Sequence, residues 1–467
     1  MKFRFFRFLF FLSLIGLLAS CLSTTTQVIS TDASFVSLTL AGNDSVNKAV
    51  FTLDGTTIVN LDSLPYKSKI DSVYPTFTFK STAASFLHVQ LDKKKYKFLR
   101  GSTVDSIYIT GSKDTIDMRQ PNLWIRNFAS DKKTSLRYSI KLNVHQVNPN
   151  LYKWGKIADS ITSVTPKNQK TIIMNDVFYW YMNDGSQTYL YTSTDGKTWN
   201  ATTVTGLPVA TSLVDMIQFN GKLYLTRDGA NLYTSADGVV WKQSQPSSMF
   251  NFNSLAFVLN NQLWAVVQPN PGDGTYHFAI SNDGISWNMT KGTVPAYFPV
   301  IDFASVTFKT LTGKEKVVIV GGFASNGNRT LSRWSSEDGV YWVDFSSENL
   351  TLPQFLGAPA LIHYDNKLLV LGEGNDIQTV YKQSVDEGYS WQVPDTALNK
   401  LPANFKPRKN ASLVVFKPKD YVKVNPASLS EEIRSTNYIF IIGGNTETNP
   451  MLDVWKGKVN KKNFLRQ

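Results

Sequence analysis

The chain has 467 residues, a formal charge of +12, 42% hydrophobic and 13% aromatic residues, and one cysteine. That length can bury two domains with their own cores, while a lone cysteine excludes an internal disulfide, so stability has to come from burial. Tyr, Phe and Trp are abundant and long helical periodicity is missing, which points to an all-β chain.

The first residues carry Lys2, Arg4 and Arg7, then an apolar stretch from Phe8 to Leu18 broken only by Ser13, then Ala19-Ser20-Cys21. A basic segment, a short apolar segment and small residues before a cysteine read as a lipoprotein signal peptide over residues 1–20, too short to span a bilayer by itself. Cys21 becomes the lipidated first residue. The bilayer is then a partner through its acyl chains, each buried methylene contributing ~0.8 kcal/mol. Loss of Lys2, Arg4 and Arg7 lowers the formal charge from +12 to +9. The remaining basic residues, such as Lys93-Lys94-Lys95 and Lys132-Lys133, are scattered, with no recognition helix or RNA-binding aromatics nearby, so no nucleic-acid partner is expected. Localisation reads as the cell envelope with attachment to the outer membrane, and the lack of an acidic cluster after Cys21 favours the periplasmic side.

Residues 21–33 are polar and without periodicity, as in a tether. From 34 to 147 the chain alternates, as in Ser37-Leu38-Thr39-Leu40 and Tyr138-Ser139-Ile140-Lys141-Leu142, with turn signals such as Asp54-Gly55 between the runs. Several short strands in this span predict an immunoglobulin-like sandwich. Asp-Ser/Thr-aliphatic tripeptides begin at Asp44, Asp62, Asp71, Asp105, Asp114, Asp159 and Asp395 and resemble O-glycosylation sites of some exported bacterial proteins. Gln146-Val147-Asn148-Pro149-Asn150 breaks the alternation and sets a domain boundary.

Over 150–467 one unit recurs. Ser-x-Asp-Gly-x-x-Trp appears with Asp195 and Trp199, Asp237 and Trp241, Asp283 and Trp287, and Asp338 and Trp342, then in a one-residue-longer form with Asp386 and Trp391. The aspartates lie 42, 46, 55 and 48 positions apart, the period of a four-stranded propeller blade. Hairpin signals such as Asn220-Gly221 and Asp365-Asn366 precede the turns, so each unit reads as strand a, tight turn, strand b, variable loop, strand c, repeated turn, strand d. A sixth unit, from Ser412 to Trp455, lacks the turn, and Tyr152 to Ile157 is a strand left over to complete it. Six blades are predicted, with seven as the alternative.

The repeated turns resemble the Asp-box of sialidases and other propellers, and the pairs Gly321-Gly322 and Gly443-Gly444 resemble those of kelch-like blades. With the lipobox and the sandwich, the chain is similar to uncharacterised two-domain lipoproteins of Gram-negative bacteria that join an Ig-like domain to an Asp-box propeller. The resemblance implies a fold and no activity, and it places the boxes on the face opposite the usual ligand site.

The b–c loops therefore supply the candidate ligand-binding residues: Asp184, Arg227, Asp228, Asp273, Asn326, Arg329, Glu373, Asp376 and Glu447. A monomeric, non-catalytic module binding a glycan or an envelope protein is favoured. A sialidase-like, glycoside-processing enzyme is the alternative, weakened by the few propeller arginines, Arg227, Arg329, Arg333, Arg408, Arg434 and Arg466, and by the missing Arg-Ile-Pro motif before the first box. The four histidines show no paired ligand spacing, so neither a metal nor another cofactor is expected.

Overall fold

The computed structural model describes residues 29–90, 104–108, 115–209, 211–227, 231–244, 249–331, 333–345, 352–416 and 437–460. Cys21, the signal segment and Asp228 lie outside these residues. The chain divides into two compact units, Met1–Asn148 and Pro149–Gln467.

In the first unit, Phe35–Ala41 pairs with Tyr74–Phe79, and a second sheet runs in the order Phe51–Asp54, Thr57–Asn60, Ser135–Lys141, Trp124–Phe128, Ala84–Gln90, Val104–Tyr108. Neighbours in that sheet are antiparallel except Thr57–Asn60 against Ser135–Lys141. Alternation places Leu38 and Leu40 of the small sheet in one core with Ile58, Leu87, Ile125 and Ile140 of the large one. The aliphatic members of four Asp-Ser/Thr tripeptides, Val46, Leu64, Val73 and Ile116, are also core residues, which gives that pattern a local packing role.

The second unit holds six sheets of three or four strands among the described residues. Their first strands are Asn168–Met174, Ile217–Phe219, Phe250–Leu259, Ala304–Lys309, Ala360–Tyr364 and Ser412–Phe416. Each of these touches the first strand of the next sheet, and the sixth returns to the first, so together they line an axis. The sixth sheet is completed from the other end of the unit: Tyr152–Ala158 pairs antiparallel with Val454–Val459. This removes an edge that would otherwise be open.

Hydrophobic clusters sit between consecutive sheets. One joins Tyr181 and Leu190 of the first sheet to Leu213, Leu223 and Trp241 of the second; another joins Phe178 and Trp180 of the first to Phe416 and Phe440 of the sixth. In each repeated turn one carboxylate organises the backbone. Asp195 accepts from the Lys197 and Thr198 N–H groups at 2.7 and 2.8 Å, while the Gly196 N–H donates to Ser193 Oγ at 2.8 Å. The same bonds recur around Asp237, Asp283 and Asp338, and Asp386 takes the Ser390 N–H.

The turn glycines do two things that no other residue can. Each lies at a φ between +73° and +95°, and each abuts the preceding sheet around the ring. A Cβ on Gly238 would stand 2.6 Å from Tyr179, on Gly284 2.1 Å from the Tyr224 hydroxyl, and on Gly339 2.4 Å from Trp264. A Cβ on Gly196 would stand 2.6 Å from Phe440 of the sixth sheet, so the first turn seals the ring. Trp241 and Trp391 are buried at 3% and 2%, and Trp199, Trp342 and Trp391 donate their indole N–H to their own turn's glycine carbonyl.

Candidate functional site

The repeated turns sit where the first strands end. At the opposite end lie the loops after each second strand and the links that lead into the first strands. The sixth sheet is locked there by Arg408, which is fully buried, donates to Gly443 O at 3.1 Å and forms a two-pronged pair with Asp453. Asp453 in turn accepts the Trp455 indole N–H at 2.9 Å.

A cavity of about 690 Å³ opens at this loop end between the fourth and fifth sheets. Its wall includes Asn326, Asn328 and Arg329 from the fourth sheet's loop, Gln354 from the following link, Asn375 from the fifth sheet's loop, and Tyr297 from the link between the third and fourth sheets. Gly322 makes the wall possible: at φ +93°, with its Cβ position 2.6 Å from Ile301 O, it lets Phe323–Ala324 pair with Pro299–Ile301. Arg329 is held by a 2.8 Å bond to Phe355 O and by stacking 4.6 Å over the Phe323 ring. Gln354 donates to Arg329 O at 2.9 Å and accepts from Asn375 at 3.2 Å. Tyr297 is 70% exposed, its backbone in the left-handed region at φ +64°.

Of the loop residues singled out in the sequence, the fold thus brings Asn326 and Arg329 into one cavity. Asp376 follows the cavity residue Asn375 and is exposed. Asp184 spends its oxygens on its own loop, accepting from Ser186 and Gln187, and these bonds hold its carboxyl well below the usual range. Asp273 likewise serves Thr275. Glu373 is not a loop residue: it ends the strand Lys367–Glu373 at 2% exposure. Burial raises its pKa, Lys409 opposes this, and the exposed Glu447 adds to it. Arg227 ends the strand Lys222–Arg227, and its side chain lies outside the description.

The links into the first strands supply charged groups that the loop reading missed. Along Asn168–Met174, Ile172 and Met174 pack with Leu213 and Met216 of the second sheet. Lys170 belongs to the same alternate set, and it and Asp215 influence each other electrostatically. Burial and then the like charge of Asp302 push the Asp215 carboxyl up to about 7, against the pull of Lys170. Asp302, at φ +57° on the way into the fourth sheet, is also raised by burial, with Arg329 opposing. Burial lowers the Lys170 pKa, and Asp215 opposes this. Asp215 and Asp302 come from the second and fourth sheets, so the group gathers around the axis. Among the described residues no group of three or more His, Cys, Asp or Glu side chains could hold a metal ion, and no helix is long and apolar enough to cross a membrane.

Ring, sheets and repeated turns define a β-propeller. Residues 148–467 match the family model described as "DUF6242 beta propeller domain", and residues 22–142 match "Domain of unknown function (DUF6242) N-terminal domain". The chain belongs to this two-domain family. Among solved structures it is similar to "Structure of YjhT", at 14% identity and a TM-score of 0.42, covering 64% of this chain and 96% of that one. A protein of unknown function from Dyadobacter fermentans is 12% identical with a TM-score of 0.40, covering 66% and 99%. The SapL1 lectin in complex with alpha methyl fucoside is 12% identical with a TM-score of 0.36, covering 62% and 90%. No curated protein matches.

Proposed function

We propose that this is an exported lipoprotein, lipidated at Cys21, whose six-bladed Asp-box propeller binds a glycan at its loop end and follows an immunoglobulin-like domain. The observation that carries the binding reading is the cavity walled by Asn326, Asn328, Arg329, Gln354 and Asn375 beside the exposed ring of Tyr297. Amide and guanidinium donors converging on a recess with an aromatic rim match a sugar, which offers hydroxyls at its edge and C–H groups on its face. The lipid anchor is supported by the basic, apolar and Ala19-Ser20-Cys21 sequence, and the outer membrane is the expected site of attachment.

A glycan array probed with the mature protein and with Tyr297→Ala and Asn326→Ala tests the binding reading. Specific binding by the wild type and a loss of about tenfold or more in both variants is expected. Unchanged binding by the variants, or no glycan bound by the wild type, overturns it.

A further inference from the structure

Three neighbouring strands of the first unit, Ser135–Lys141, Trp124–Phe128 and Ala84–Gln90, form the middle of its larger sheet. Alternation sends Leu87, Ile125, Tyr138 and Ile140 into the core, so the residues between them stand on the opposite face. There Arg126 and Arg137 lie directly opposite one another in the register, and both are exposed, as is Lys141 on the same face. Like charges so placed repel. Nothing in the unit relieves them: the outward positions of the three strands hold no carboxylate, and among the described residues none of the three cations forms an ion pair.

Arg137 is also held in place. Its guanidinium carbon stands 4.0 Å from the centre of the Trp124 ring, which stacks at 4.4 Å with His88 on the strand beyond. A guanidinium fixed against an indole loses little freedom when its N–H fork takes a carboxylate. Beside this row Phe86 and Phe128 meet edge-on at 6.2 Å, both half-buried, so the cations border aromatic surface.

We propose that this face of the first unit binds an acidic polysaccharide, with uronate carboxylates paired to Arg126 and Arg137 and a sugar ring lying against Phe86 and Phe128. Charge complementarity selects an anion, and the aromatic surface between the cations suits the C–H face of a pyranose. The outward positions of the three strands carry no long aliphatic side chain to enter a lipid surface. Trp124, the largest ring, is already engaged by His88 and Arg137, which disfavours base stacking by a nucleic acid.

Calorimetry of the full mature chain tests this with oligomers of galacturonic, glucuronic and mannuronic acid, their methyl esters, polyglutamate, a single-stranded oligonucleotide and phosphatidylglycerol vesicles. The wild type is expected to bind at least one uronate oligomer about tenfold or more tightly than its uncharged ester, and less tightly as salt rises. Arg126→Gln and Arg137→Gln should each weaken that binding by about tenfold with unchanged melting. Arg137→Lys, which keeps the charge and loses the fork, should weaken it by about fivefold. The double variant Lys48→Gln with Lys69→Gln, which removes two exposed cations elsewhere in the unit, should stay within about twofold.

No uronate oligomer bound by the wild type, equal binding of acid and ester, or an equal loss in the Lys48 and Lys69 variant overturns the proposal. So does tighter binding of polyglutamate, the oligonucleotide or the vesicles than of any uronate. Tyr297→Ala should leave uronate binding within about twofold. If it abolishes that binding while the arginine variants bind normally, the acidic sugar sits in the propeller cavity and this face falls; if the arginine variants alone lose it, this face stands whatever becomes of the cavity reading.

Discussion

The two ends of the propeller are built by opposite rules. At the end with the repeated turns, five near-copies of one turn satisfy their polar groups internally: each aspartate takes N–H bonds from its own turn, and each glycine is pressed onto the preceding sheet. For Asp283, bonds from Ile285 and Ser286 hold the carboxyl at about 2. At the loop end the described loops do not repeat a common turn, and the Asp215 carboxyl is pushed up to about 7. A carboxylate that is content in its own turn has little left to offer a ligand. One kept in an unfavourable setting by the fold around it does, and the contrast separates structural aspartates from candidate binding ones more sharply than residue type does.

The contrast can be broken or sharpened in four places. The largest effects belong to the packed groups. Trp241→Ala removes a ring exposed by only 3% and packed edge-on to Tyr181, and should lower stability by about 3–5 kcal/mol in denaturant titrations while the folded fraction keeps its ligand affinity. Arg408→Ala, at the loop end, leaves the buried Asp453 without its ion-pair partner and should lower stability by a similar ~3–5 kcal/mol. A much smaller loss there would mean that the sixth sheet does not depend on this pair.

The third test is pH. Asp215 has a folded pKa above its unfolded value, so its contribution to stability is present below about 4 and is lost as pH rises through about 7. Asp215→Asn lacks that dependence. Between pH 4 and 7 the wild type should lose about 1–2 kcal/mol relative to the variant, a figure discounted because the group keeps some exposure to solvent. Parallel pH profiles of the two proteins would contradict the assignment. The smallest effect is at Asn326, an exposed cavity residue: Asn326→Ala should change stability by less than about 0.5 kcal/mol in a thermal melt.

How much of this could be read from the sequence follows from how local the physics is. The repeated turns are legible because a serine, an aspartate, a glycine and a tryptophan within seven positions contain most of their own hydrogen bonds. The pairing of Tyr152–Ala158 with Val454–Val459 is legible because an orphan strand and an incomplete unit each lack what the other has. The charged axis is not. Lys170, Asp215 and Asp302 stand far apart in the chain as single polar residues beside apolar ones, and only ring closure brings them together. The links into the first strands reach the same end as the variable loops, yet no turn signal draws the eye to them. Glu373 misleads for the reverse reason: Gly374-Asn375-Asp376 looks like a loop that begins one residue earlier than it does.

The claim that the loop end holds the ligand is tested most directly by blocking each end with the same bulky side chain. Asn328 lines the cavity and is exposed, while Ile285, in the third repeated turn, is 60% exposed. Binding of an array-selected glycan to immobilised Asn328→Trp and Ile285→Trp should be lost in the first and stay within about twofold of wild type in the second. Loss in Ile285→Trp with normal binding by Asn328→Trp would place the ligand among the repeated turns and contradict the account.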